Sequence, residues 1–169
     1  MKNLTLFLIG YRGAGKSTVG QELAENLRLP LYSLDRVIES KAEKTITEIV
    51  GEKGWPYFRD LESAALKEYS SKKGIVDCGG GIIEREENRI LLKNQDWVFF
   101  LKVSVEEAQN RLKDKTDRPS LTGNQDYLAE IASVYSRRMP LYEEAARYIL
   151  DANKNSLDTA GEILEILKK

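Results

Sequence analysis

The chain has 169 residues, 41% hydrophobic and 31% charged, a mix that suits one compact domain with its own core. Its 26 basic and 27 acidic side chains leave a net charge of -1, so nucleic acid is not an expected partner and any anion site must be local. Histidine is absent and Cys78 is the lone cysteine, which excludes His-based catalytic triads, His-ligated zinc, multi-cysteine metal sites and an intramolecular disulfide.

The opening MKNLTLFLIG is too short for a membrane span and lacks a small-residue cleavage site, so Leu4–Ile9 reads as a buried first strand of a cytoplasmic protein. Gly10-Tyr-Arg-Gly-Ala-Gly15-Lys16-Ser17 follows and satisfies G-x-x-x-x-G-K-[ST] between a strand and a helix, the context the motif requires. Gly10, Gly13 and Gly15 let backbone N–H groups, with those of Arg12, Ala14 and Thr18, turn toward an anion at a helix N-terminus. Lys16 can reach β- and γ-phosphates and Ser17 can offer its hydroxyl to Mg²⁺, so ATP or GTP is the expected ligand.

Further apolar runs at Leu31–Leu34, Ile75–Cys78, Trp97–Val103 and Tyr148–Leu150 alternate with helical patterns such as VGQELAENL, LESAALKEY and SVEEAQNRL. Ser104-Val-Glu-Glu107 carries a capping-box signature after the fourth run. Strands separated by helices predict an α/β three-layer fold, a five-stranded parallel sheet flanked by helices, as a single domain over 1–169. Two stretches break the alternation. Residues 33–62 hold only helical patterns around Gly-Trp-Pro and read as a helical insertion, and 113–125, polar with Pro and Gly, reads as a lid loop carrying Arg118.

Asp35 lies just past the second strand, at the sheet edge where ligands bind. It can orient an acceptor hydroxyl or cap the following helix, and the residues alone leave both roles open. Arg59 follows Tyr57-Phe58, and Glu62 stands three residues on, placed to orient its guanidinium along one helix face. Gly79, Gly80 and Gly81 follow the third strand and allow backbone to approach a ligand closely.

The ordered series GYRGAGKST, SLD with RVIE, FRDLE, CGGGI, DRPSL and RRMPLYEEAA resembles the shikimate kinases, within the nucleoside-monophosphate-kinase-like group of P-loop proteins, nearly end to end. The resemblance implies transfer of the ATP γ-phosphoryl group to the 3-hydroxyl of shikimate, with Mg²⁺, by a monomer. It favours the substrate role for Asp35. It also implies that Arg59 and Arg138 grip the substrate carboxylate, Arg138 rather than Arg137 being selected by R-x-P-L-Y. Arg118 would close over the phosphates, Arg111 would stack on adenine, and the stretch around Asn155 would form the far side of the adenine slot. A related kinase of gluconate, another polyol or a nucleotide, and a non-catalytic ATP-binding module, are the competing readings.

The chain departs from the family at Ser33-Leu34-Asp35, where Asp-x-Asp is usual and its first aspartate helps hold Mg²⁺. Asp77 stands where a small residue is usual, and many P-loop enzymes keep an acid near the end of this strand. Asp77 is therefore expected to supply the metal-side carboxylate that position 33 lacks, the alternative being that it turns away and pairs with a nearby base. Val50 and Trp55 also depart, in the insertion expected to wall the substrate, and so bear on which acceptor fits; the alternative is that Trp55 and Phe58 simply pack against each other as core.

Overall fold

The five apolar runs form the strands β1 (Thr5–Ile9), β2 (Leu31–Ser33), β3 (Gly74–Asp77), β4 (Val98–Lys102) and β5 (Tyr148–Asp151) in a computed structural model that describes residues 4–112 and 127–169. They pair in parallel in the order β2-β3-β1-β4-β5. Parallel strands need crossovers, and the helices α1 (Lys16–Leu27), α2 (Leu34–Ala42), α3 (Ile46–Tyr69), α4 (Glu86–Lys93), α5 (Val105–Leu112), α6 (Tyr127–Ala145) and α7 (Ser156–Leu167) supply them. Burial on both faces explains why β1 reads as an unbroken apolar run: Leu6, Phe7, Leu8 and Ile9 are wholly buried. Trp97, Phe99 and Tyr148 stack in a row across β4 and β5. The chain leaves β1 toward β2 on one side and later reaches β4 on the other. The order of strand addition therefore reverses at β1, and the crevice beyond the carboxyl ends of β1 and β3 is where a ligand belongs.

The stretch read as an insertion is α2 and most of α3, but 62 is not an element boundary. LESAALKEY continues the same helix to Tyr69, because Ala65 and Leu66 bury against the core in one unbroken apolar stripe. The Gly-Trp-Pro interruption is a kink inside α3, at Gly54 with φ 79° and ψ 169°. Leu34, expected to end β2, instead starts α2. The segment 113–125 and Arg118 lie outside the described residues. Among the described residues no helix is long and apolar enough to cross a membrane.

Two caps fix helix entries. Ser104 forms half of the expected capping box, its Oγ accepting from the Glu107 N–H at 3.1 Å. The other half is displaced, since Ser104 N–H donates to Asn153 Oδ1 and Glu107 turns to Arg111. The complete box is at α3, where Thr45 Oγ1 accepts from Glu48 N–H (3.2 Å) and Glu48 Oε2 accepts from Thr45 N–H (2.7 Å). Thr45-Ile-Thr-Glu48 carries that signature in the sequence as plainly as Ser104 does. Thr45→Ala is expected to lower stability by about 1 kcal/mol, read as a Tm drop of about 2–4 °C in thermal unfolding. An unchanged Tm would show that water replaces the cap without cost.

Candidate active site

The loop between β1 and α1 is held open for an anion. Gly13 (φ 74°) and Gly15 (φ 88°) sit in left-handed conformations that side-chain-bearing residues adopt only under strain. Lys16 Nζ donates to the carbonyl oxygens of Gly10 (2.9 Å) and Tyr11 (3.2 Å), so the cation is folded over its own loop. The loop floors a cavity of about 520 Å³ whose walls include Arg12, Lys16, Ser17, Asp35, Asp77 and Arg111. That volume suits a small-molecule or nucleotide ligand.

Arg111 is fixed along its edges. Its Nη1 donates to Gly13 O (3.0 Å), its Nη2 to Ala152 O (2.9 Å) and its Nε to Glu107 Oε1 (2.5 Å). A guanidinium bonded round its rim leaves its flat face for stacking, which suits the adenine role implied for it. Asn155 is the N-cap of α7, its Oδ1 accepting from Asp158 N–H (2.8 Å), and Ser156 beside it stands on the cavity wall. The physical reason is local: an Asn side chain before a helix is drawn to the free N–H groups of the first turn.

At the end of β3, Asp77 Oδ2 accepts a hydrogen bond of 2.6 Å from the Ser17 hydroxyl. Asp77 pairs in register with Ser33 of β2 and with Leu8 of β1. Directly paired residues on parallel strands share a face of the sheet, so positions 33 and 77 address the same space. Ser33, Asp35, Ser17 and Asp77 all border the cavity and offer only oxygen ligands. Hard oxygen donors beside a phosphate loop fit Mg²⁺.

A second, narrow cavity adjoins the first and shares Arg12, Asp35 and Gly80 with it. Arg12 thus faces both, where the sequence assigned it to the nucleotide alone. Arg59 ion-pairs with the buried Glu62, and the guanidinium lies beside the rings of Trp55 (5.0 Å) and Phe58 (5.7 Å). Trp55 meets Phe58 edge-on at 5.8 Å. Burial pushes the Glu62 carboxyl above the usual range, against the pull of Arg59. Asp35 sits in the first turn of α2, where Ser33 is the N-cap, so the capping alternative does not hold. A Cβ at Gly79 would fall 2.6 Å from Asp35 Oδ1 and 2.7 Å from Glu62 Oε1, which brings these carboxylates to one side of the glycine turn.

Arg138 is buried and borders the second cavity, whereas Arg137 is exposed. Arg138 Nη1 donates to Gly80 O at 3.4 Å, and the Tyr142 hydroxyl donates to the same carbonyl. The guanidinium also lies 5.9 Å from the Tyr11 ring of the phosphate loop. The sequence did not single out Glu84, which bonds both Arg137 and Arg138.

A family model described as shikimate kinase matches residues 12–168. The chain is 35% identical over 166 residues to shikimate kinase 2 of Yersinia enterocolitica, covering 96% of this chain and 95% of that protein. Among solved structures, shikimate kinase from Acinetobacter baumannii in complex with shikimate superposes with a TM-score of 0.91 at 34% identity, covering 98% of this chain and 93% of that one. A deoxyadenosine kinase from M. mycoides with bound dATP superposes with a TM-score of 0.62 at 17% identity, covering 98% of this chain and 100% of that one, a likeness of fold alone.

Proposed function

The chain belongs to the shikimate kinase family, and we infer that it transfers the γ-phosphoryl group of ATP to the 3-hydroxyl of shikimate, giving shikimate 3-phosphate and ADP. The observation that carries this reading is the position of Asp35. It borders both the phosphate-loop cavity and the cavity bearing Arg59 and Arg138. A carboxylated triol held by the arginines would present a hydroxyl to Asp35, and Asp35 would present it to the nucleotide.

The residues divide the work. Gly10, Gly13, Gly15 and the following N–H groups cradle the phosphates, and Lys16 exchanges its carbonyl partners for phosphate oxygens. Arg59 and Arg138 bind the carboxylate by their guanidinium edges, and Gly79, Gly80 and Gly81 let the ring approach the backbone. Asp35 accepts the proton of the attacking hydroxyl as its oxygen bonds to the γ-phosphorus, while the bond from that phosphorus to the bridging oxygen breaks and ADP leaves. Mg²⁺, when bound beside Ser17, would neutralise phosphate charge. We assign Asp77 to the metal side of the site through its hydrogen bond to Ser17, in place of the carboxylate missing at position 33. Arg118 is proposed to cap the phosphates from the 113–125 loop. Every group in this scheme comes from one chain, and action as a cytoplasmic monomer is the corresponding proposal, checked by light scattering and fractionation.

The test is ADP release with ATP and Mg²⁺ on adding shikimate, quinate, gluconate, CMP or AMP in turn. Stimulation by shikimate alone is the expected result. Stimulation by another acceptor would reassign the second cavity, and nucleotide binding with no stimulation would make the protein a non-catalytic member of its family.

A further inference from the structure

We propose that Glu84 is the positioning residue for the carboxylate grip: it orients Arg138 while Arg137 cancels its charge. The proposal rests on the functional reading above and concerns the same cavity. Glu84 ends the short 3-10 turn Ile82–Glu84 that follows the glycines. Its Oε1 accepts from Arg138 Nε at 2.7 Å and from Arg137 Nη2 at 2.9 Å, and its Oε2 accepts from Arg137 Nη1 at 3.0 Å.

The geometry assigns different tasks to the arginines. Arg137 spends its forked end on Glu84 and stays largely in solvent, with a side-chain exposure of 59%. Arg138, 2% exposed, gives Glu84 only its Nε edge. Its two terminal nitrogens are not used by Glu84: Arg138 joins Arg59 and Gly81 in the cavity wall, and Nη1 reaches Gly80 O. A guanidinium pinned by Nε has its plane fixed, so the terminal pair is pre-aimed for bidentate binding of a carboxylate.

An acidic residue this close to an anion site would normally repel the ligand. Here the cluster of Glu84, Arg137 and Arg138 keeps one net positive charge, and Arg137 supplies the balance. Burial would raise the Glu84 carboxyl, but the arginines outweigh it and hold the group below the usual range, so it is ionised at neutral pH. The arrangement also ties α6 to the turn after β3, because Arg138 and Tyr142 both rise from α6 to bond the Gly80 carbonyl.

The test is a binding cycle read by calorimetry on the full chain, with Glu84→Gln, Arg138→Met and the double variant titrated with shikimate and, separately, with ADP. Glu84→Gln keeps the shape but loses the charge and turns a donor toward an arginine. Expected is a rise in shikimate Kd of about tenfold, an unchanged ADP Kd, and less than about a twofold further effect in the Arg138→Met background. Glu84→Asp, which retains the charge, is expected to recover part of the loss. Unchanged or tighter shikimate binding by a Glu84→Gln variant that still binds ADP would overturn the proposal. So would an equal loss in both backgrounds, because the effect would then not pass through Arg138. The wild-type titration separates the two readings: a wild-type chain that binds ADP and not shikimate overturns the functional reading and with it the grip that Glu84 serves.

Discussion

Asp77→Ala is expected to cut kcat about a hundredfold and to raise the Mg²⁺ concentration needed for half-maximal activity, the scale of loss seen when a metal-orienting group is removed. The Ser17 hydroxyl now donates to Asp77 at 2.6 Å, and without that acceptor it is free to rotate away from the metal side. The decisive variant is the pair Ser33→Asp with Asp77→Ala. Position 33 faces position 77 across the β2–β3 ladder and borders the same cavity, so a carboxylate there re-enters the same space. The double variant is expected to recover most of the lost rate. Ser33→Asp alone is expected to lose activity or stability, because it sets two carboxylates side by side on neighbouring strands. Near-normal kinetics of Asp77→Ala, with an unshifted Mg²⁺ titration, would sink the assignment and leave Asp77 as a structural partner of Ser17.

The neighbourhood of positions 33 and 77 was legible before the fold was. Strand ends in a parallel sheet are short and regular, so a residue counted from a motif lands near its true place. Asp77 stands two residues before Gly79, Ser33 precedes Asp35 by two, and both are the last residues of their strands. The phosphate loop was legible for the same reason: a local motif, a fixed context and a chemistry confined to a few consecutive residues. Strand order was not. It depends on which side of β1 each crossover passes, a choice made by packing between elements far apart in sequence. Glu84 was equally hidden. Its partners lie 53 and 54 residues away, and nothing local distinguishes it from the acidic residues that follow it at Glu86 and Glu87.

The glycine turn supplies the second large effect, and it discriminates among residues that the sequence presents as identical. Gly81→Ala is expected to weaken shikimate binding by about a hundredfold or more while leaving ADP binding near normal. A Cβ at Gly81 would stand 1.8 Å from Arg59 Nη1, so the guanidinium must leave. Its present place is set by the Glu62 carboxylate and by the rings of Trp55 and Phe58. The clash is with the far end of a flexible side chain, so the cost falls on ligand binding more than on folding. Losing one arm of a charged bidentate grip accounts for a loss of this size, about 3 kcal/mol. Gly161→Ala in α7 is the internal control: a Cβ there meets nothing within 4 Å, and shikimate binding is expected to change less than about threefold. Gly79→Ala should resemble Gly81→Ala in binding, but with a fall in kcat as well, since its methyl would displace Asp35 and Glu62 together. Near-normal shikimate binding by Gly81→Ala would mean that Arg59 does not use the space above Gly81 to hold its ligand. Severe losses at Gly79 and Gly81, with none at Gly161, would place the carboxylate grip where the side chains already converge.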